Sequence, residues 1–351
     1  GNPISTSGSY PLVGYVPWEA RTNLCLQSNA YNTAPWSNAF GTVAFTQNAT
    51  GPDGATSAWT GVDSDGAVAS YGAQSMTLTA ANWTQRIFVK KTTGAQATYP
   101  CFGAYRGSTD IAMCTIDTSN GIATVWTAYT GLTVSTSSAR CKSYNALFWE
   151  VELTLLGTAA VWTQCLMKVP AGTSNPTQST GVMDGTIQGS AVFYGGTMEL
   201  GSFATPYIPT TTVAVARNAD LLTYTGADVA NIKTLAATFS RGVGVSSAGA
   251  VVGVNDNTFN NYVYAYLNSA TQFKFEGYAG GVEQWKTTAS NAYTPGASSK
   301  AAQGWITNSV KMDLDGTAQT EDTTATPPAV TRMDVGHIEG AAVLNGPVNH
   351  I

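Results

Sequence analysis

Short runs of alternating apolar and polar residues recur along this chain about every 10 residues, with Gly, Asn, Asp or Pro between them. No helical apolar period is sustained over three turns. An alternation of period two places successive side chains on opposite faces, which only a strand can use. Arg86-Ile87-Phe88-Val89-Lys90 alternates in this way, and so does 146–153. Ala191-Val192-Phe193-Tyr194 is a β-branched and aromatic run, and Gly195-Gly196 reads as its end. Further runs stand at 235–239, 251–254, 262–267, 272–278, 282–287, 309–314 and 330–335. Asp315-Gly316 falls between two alternating runs and is a strong two-residue hairpin signal. The pattern predicts an all-β chain built of sandwiches or jelly rolls.

A chain of 351 residues is long enough for two such units, each burying its own core. Charged residues are only 11 %, yet 9 Trp and 16 Tyr argue against disorder. The net charge of −5 and the lack of any Lys/Arg run exclude a nucleic-acid partner. No apolar stretch approaches the length of a membrane span, so membrane insertion is not expected. Gly1 opens a polar segment without the basic and apolar regions of a secretory signal. Cys25, Cys101, Cys114, Cys141 and Cys165 form no C-x-x-C pair, and with only His337 and His350 beside them zinc ligation has little to work with. Their odd number disfavours a complete disulfide framework, and most flank apolar residues; they read as reduced, buried thiols. Gly242-Val243-Gly244 lacks the third glycine and the helix of a phosphate loop, and no cofactor is predicted.

Residues 201–211, GSFATPYIPTT, mark the boundary between the two units. Pro206 and Pro209 each lack a ladder N–H and push the preceding residue into an extended conformation, so the stretch reads as a stiff connector. Residues 1–19 carry Pro3, Pro11, Pro17 and several Ser and Gly. Ordering a backbone costs roughly 1–2 kcal/mol per residue. The seven large apolar side chains of this arm (Ile4, Tyr10, Leu12, Val13, Tyr15, Val16 and Trp18) offset little of that. The expected organisation is therefore an extended docking arm over 1–19, a first jelly roll over 20–208, a Pro/Thr-rich connector over 209–219 and a second jelly roll over 220–351. The two sandwiches are expected to have separate cores.

Glu19-Ala20-Arg21-Thr22-Asn23-Leu24, followed by Leu26-Gln27-Ser28 and Pro35-Trp36, resembles the opening of a bacteriophage virion module found in tail-fibre and head-fibre proteins. Gly51-Pro52-Asp53-Gly54, Asp117-Thr118-Ser119-Asn120-Gly121 and Phe148-Trp149-Glu150-Val151 follow in the order of that module. Residues 198–210, MELGSFATPYIPT, resemble its closing phrase. Arg217-Asn218-Ala219-Asp220, 308–316 and Leu344-Asn345-Gly346 resemble a second, laminin-G-like jelly roll. The resemblance implies two tandem concanavalin-like sandwiches in a structural protein of a phage particle: a tail fibre, head fibre, spike or decoration subunit. It also implies assembly in the host cytoplasm, an arm docked on other virion proteins, a homotrimer, contact with host glycans, and one more strand beyond Ile351. The alternative is a secreted bacterial protein that binds or cleaves carbohydrate.

The sharpest catalytic candidate is Trp149-Glu150-Val151-Glu152-Leu153, since carboxylates at i and i+2 share a strand face and glycoside hydrolysis needs a carboxylate pair. Thr154-Leu155-Leu156 follows where jelly-roll glycanases carry a further acid, so both glutamates read as solvent-facing. The chain is expected to lack enzymatic activity, and Glu150→Gln to be silent. No nucleophile elbow precedes His337 or His350. Asp63-Ser64-Asp65-Gly66 could offer oxygen ligands to calcium but lacks the rest of an EF-hand loop, and reads as a solvated turn. Through the resemblance, a sugar site would use exposed aromatics. The candidates are Trp36, Trp59 and Trp83 in the first unit and Tyr262 and Trp285 in the second, with Trp149 assigned to core.

Overall fold

The computed structural model describes residues 17–68, 70–79, 81–94, 99–106, 110–126, 138–155, 164–172, 187–240, 248–269, 271–338, 343–345 and 348–350. The chain divides into two units, Arg21–Arg217 and a second made of Gly1–Ala20 with Asn218–Ile351. Each is an all-β sandwich of two antiparallel sheets. Among the described residues no helix is long and apolar enough to cross a membrane.

In the first unit, one sheet runs in the order Ser138–Ser143, Phe148–Leu155, Trp83–Lys90, Gly189–Leu200, Ala58–Asp63, Val43–Ala49. The facing sheet runs Ser37–Phe40, Tyr71–Ser75, Gln164–Gly172, Tyr99–Arg106, Asp110–Asp117, Ile122–Trp126. Period-two alternation sends Ile87, Val89, Val151, Leu153, Phe193 and Met198 inward against Phe102, Ala104, Ala112, Cys114 and Ile116. Cys25, Cys101 and Cys114 are buried and Cys141 is half-buried; the Cys165 side chain lies outside the described residues. Gly195-Gly196 does not end a strand. The register shifts between Tyr194 and Thr197 within the Gly189–Leu200 strand, and Gly195 takes a φ of 56°, so the pair forms a bulge that re-aims the strand.

The Pro-punctuated stretch corrects the sequence reading more deeply. Residues 209–217 belong to the first unit instead of forming a free connector, and Val215–Arg217 pairs antiparallel with Arg21–Asn23. The stretch before them crosses the outer face of the first sheet as a strap. Thr84 Oγ1 donates to Gly201 O at 2.8 Å and Thr154 Oγ1 to Ser202 O at 3.2 Å. Arg86 Nη1 donates to Thr205 O, and Glu199 Oε2 accepts from Thr205 N at 3.0 Å and Thr205 Oγ1 at 2.9 Å. Thr205, Ile208 and Thr210 point inward while Pro206 and Pro209 face out, so the prolines sit where no N–H is needed.

Asn23 ties the strap down. Its side chain is fully buried; Oδ1 accepts from Cys25 N at 3.0 Å and Met198 N at 2.9 Å, and Nδ2 donates to Gly196 O at 3.2 Å and Ile208 O at 2.8 Å. The segments around residues 23–25 and 196–208, far apart in sequence, therefore meet at one amide.

Under the strap lie the two glutamates that read as solvent-facing in sequence. Glu150 is 6 % and Glu152 4 % exposed. Arg86 Nη1 stands 3.3 Å from Glu150 Oε1, Lys142 Nζ 3.3 Å from the same oxygen, and Arg140 Nη2 2.7 Å from Glu152 Oε2. These acids answer buried or neighbouring cations across the strands, a role alternation alone could not separate from exposure.

In the second unit one sheet runs Leu222–Thr225, Arg332–Val335, Gly249–Asn255, Tyr262–Leu267, Phe273–Ala279, Val282–Thr288. The other runs Thr317–Ala318, Ser309–Leu314, Ser298–Ile306, Thr234–Ser240, Val348–His350. Its own core gathers Phe239, Val252, Val254, Val263, Leu267, Phe273, Phe275, Trp305, Val310 and Leu314. Asp315 and Gly316 take φ of 54° and 78°, as the mirror-image hairpin turn requires. Val348–His350 supplies an edge strand beside Thr234–Ser240.

The arm is also corrected at its end. Trp18 N donates to Asp220 Oδ2 at 3.3 Å, Asp220 N to Trp18 O at 2.8 Å, and Glu19 N to Asn345 Oδ1 at 2.9 Å. Residues 17–19 are thus part of the second sandwich rather than a separate arm; residues 1–16 lie outside the described residues.

Two substitutions test this architecture in chemical denaturation. Asn23→Ala, which strands buried donors and acceptors at both ends of the first unit, should lower stability by about 3 kcal/mol. Glu150→Gln should cost roughly 3 kcal/mol, because it leaves Arg86 buried with part of its counter-charge removed.

Candidate functional site

Alternation on Tyr262–Leu267 puts Val263, Ala265 and Leu267 into the core, so Tyr262, Tyr264 and Tyr266 all face outward. Register then builds a grid around them. Tyr262 stands opposite Tyr278, Tyr264 opposite Glu276, and Tyr266 opposite Lys274, with Lys286 on the far side of Glu276. On the other flank Tyr264 faces Gly253 and Tyr262 faces Asn255. A Cβ at Gly253 would lie 1.8 Å from the Tyr264 ring, so only glycine lets that ring lie flat on the neighbouring strand.

Glu276 organises the face. Its Oε1 accepts from the Tyr262 hydroxyl at 2.6 Å, and its Oε2 accepts from the Tyr266 hydroxyl at 2.6 Å and pairs with Lys286 Nζ at 3.0 Å. Burial pushes this carboxyl up, but the two hydroxyls and the ammonium together outweigh burial and hold it below its ordinary value. The same contact raises the Lys286 ammonium, and burial followed by the Glu276 bond raises both Tyr262 and Tyr266. A carboxylate held ionised in this way is a fixed acceptor and a poor proton donor near neutral pH.

Beside it lies a second buried network. Asn255 Nδ2 donates to the Tyr264 hydroxyl at 2.7 Å and to Asp334 Oδ2 at 2.8 Å, while Arg332 Nε bonds Asp334 Oδ1 at 2.6 Å. The rings are fixed as firmly as their hydroxyls: Tyr262 stacks on Tyr278 with centroids 4.8 Å apart and planes 16° apart. Tyr266, Lys274 and Tyr278 are half-buried, Lys286 is exposed, and Phe259 stands at the rim with 61 % of its surface exposed. Tyr262, Tyr264 and Glu276 are themselves buried, at 9 %, 1 % and 7 % exposed, so they form a rigid base. The accessible surface is that of Tyr266, Tyr278, Lys274, Lys286 and the Phe259 rim, two half-buried phenol rings among charged donors that suit a ligand with apolar C–H faces and hydroxyls.

The sequence-predicted sugar contacts lie elsewhere, with one exception. Trp36, Trp59 and Trp83 are 7 %, 5 % and 7 % exposed, and their indole N–H groups donate to Gln27 O, Asn29 O and Thr79 O. Trp285 is buried in the second core at 2 %, packed over Gly277. Rings so enclosed offer no face to a sugar; they are core. Tyr262 lies under the site and not on its surface: it is 9 % exposed and stacked beneath Tyr278, so it supports that ring and offers no face of its own. Trp149, assigned to core, is half-buried, with Lys91 Nζ 4.2 Å from its ring centroid and its N–H bonded to Thr118 O at 2.7 Å. Sequence reasoning missed Tyr264, Tyr266, Glu276 and Tyr278, although three tyrosines at i, i+2 and i+4 were the available signal.

No family model matches the chain, and no curated protein matches it. Among solved structures it is similar to the CBM40 of the Ruminococcus gnavus IT-sialidase bound to α2,3 sialyllactose. That similarity has a TM-score of 0.30 and 14 % identity over 33 % of this chain and 71 % of the other. It is also similar to domains LG4-5 of the mouse laminin α1 chain, with a TM-score of 0.24 and 13 % identity over 78 % of this chain and 84 % of the other.

The depressed Glu276 pKa fixes a pH dependence. The network's contribution is fully present above the ordinary carboxylate value of 4.5 and is lost as pH falls through the lower folded value. Thermal melts between about pH 7 and 3 should show the second unit weakening in that acid window, and Glu276→Gln should flatten the dependence.

Proposed function

We propose that this chain is a non-catalytic structural subunit of a bacteriophage particle, a fibre, spike or decoration protein, whose second sandwich presents the tyrosine face to host-surface saccharide. The observation that carries the reading is the meeting of the two signature phrases at Asn23. The phrases that resemble the virion module lie where the first sandwich closes, and that placement supports the reading. On this reading residues 1–16 dock on neighbouring virion proteins and the subunit assembles as a homotrimer in the host cytoplasm. Absence of enzymatic activity is part of the proposal, supported by Glu150 and Glu152 being tied to Arg86, Lys142 and Arg140.

A second reading, a secreted carbohydrate-binding protein, is favoured by the tyrosine face alone. Immunogold labelling of purified particles separates the two: labelled appendages support the virion subunit, and an unlabelled particle overturns it. On a glycan array the wild type should bind and Tyr278→Ala should lose about tenfold or more, since stacked aromatics carry such contacts. Incubation with host polysaccharide should release no reducing sugar.

A further inference from the structure

Asp63 closes the Ala58–Asp63 strand, opposite both Gly189 and Val43. It follows Trp59 and Gly61 on the inward face, so its side chain turns toward the end of the first sandwich's interior and only 2 % of it is exposed. The turn itself is solvated as expected, with Ser64 and Gly66 exposed and Asp65 half-exposed, but its first carboxylate is not. Oδ1 of Asp63 accepts from Asp65 N at 2.9 Å, which aims the carboxylate into its own turn. Oδ2 is buried and has no hydrogen-bond partner, and no cation pairs with it among the described residues. Burying half a carboxylate without a donor or counter-charge is strongly unfavourable. Glu150 and Glu152 of the same sandwich instead meet basic side chains; Glu199 keeps one buried oxygen unbonded too, but its other oxygen holds the strap at Thr205.

We infer that the 63–66 turn binds a divalent cation of calcium type, with Asp63 Oδ2 as its anchoring ligand. Asp65 supplies the second carboxylate: its Oδ1 is taken by Ala67 N at 2.9 Å and Val68 N at 3.2 Å, which orients the group and leaves Oδ2 to the ion. Gln188 Nε2 holds Ser64 O at 2.6 Å and fixes the turn from the strand side. No group of three His, Cys, Asp or Glu gathers among the described residues, so the remaining oxygens come from main-chain carbonyls and water. Such an all-oxygen, irregular set suits calcium, which accepts 6–8 oxygens in flexible geometry, better than magnesium or zinc (about six in a strict octahedron, or four with N/S ligands).

Isothermal titration of the chelator-treated full chain with CaCl2, paired with calorimetric melts, tests the site. The expected result is one ion per chain with a Kd on the order of 10⁻⁴–10⁻³ M, and a first-unit melting temperature about 2–4 °C higher or more with calcium in excess. Asp63→Asn should abolish both effects while melting no lower than chelated wild type, because the unpaired charge is gone. Asp65→Asn, at a half-exposed position that tolerates change, should weaken binding about tenfold or more if Asp63→Asn does not fold. Absence of heat and of a melting shift in the wild type overturns the site, as does calcium binding that both variants retain. Equal affinity for magnesium overturns the assignment to calcium.

Discussion

One buried carboxamide decides how the first sandwich closes. Asn23 has both of its oxygen's bonds and both of its nitrogen's bonds directed at main chain, on segments that the sequence separates by more than a hundred residues. A buried amide satisfied by four main-chain groups is worth little net against water, but leaving those groups unpaired is expensive. The geometry is therefore specified even where the energy is modest. Everything outward of it follows: Gly196 and Met198 are fixed at the bulge, Ile208 is drawn in, and the strap is drawn across the sheet.

With the strap in place, the outer face of the first sheet becomes an interior. Arg86, Glu150 and Glu199 are all nearly buried, and burial pushes the Glu199 carboxyl up even though Arg86 and Thr205 oppose the shift. Phe88, Phe148, Tyr194 and Tyr207 form a small apolar cluster on the same side. The Tyr207 hydroxyl reaches Ser28 Oγ at 2.7 Å, and Thr210 N donates to the same oxygen at 2.9 Å, which anchors the strap at its far end. A face built this way serves stability.

The second sandwich uses the same alternation for a different end. On the side away from its core stand Tyr262, Tyr264, Tyr266, Tyr278, Glu276 and Lys286, and hydrogen bonds within the sheet join Tyr262 and Tyr266 to Glu276 and Tyr264 to Asn255. On the proposed reading, rings locked through Glu276 beforehand lose little conformational freedom when a ligand stacks on them.

Much of this was legible in the residues. The runs at 262–267, 282–287 and 309–314 coincide with strands, and Asp315-Gly316 is the hairpin turn its two residues demand, because strand period and turn chemistry are local properties. The all-β class with two cores was legible for the same reason. Alternation, however, says only that two faces exist, never which one is covered. Glu150 read as solvated until the strap was seen above it, and Trp36, Trp59, Trp83 and Trp285 read as platforms until both sheets enclosed them. Pro206 and Pro209 declared an extended backbone correctly, but extension is as compatible with a strap as with a spacer. Local chemistry set the strands, turns and extended segments. Burial and partnership depend on residues distant in sequence, and only the tertiary structure decided those.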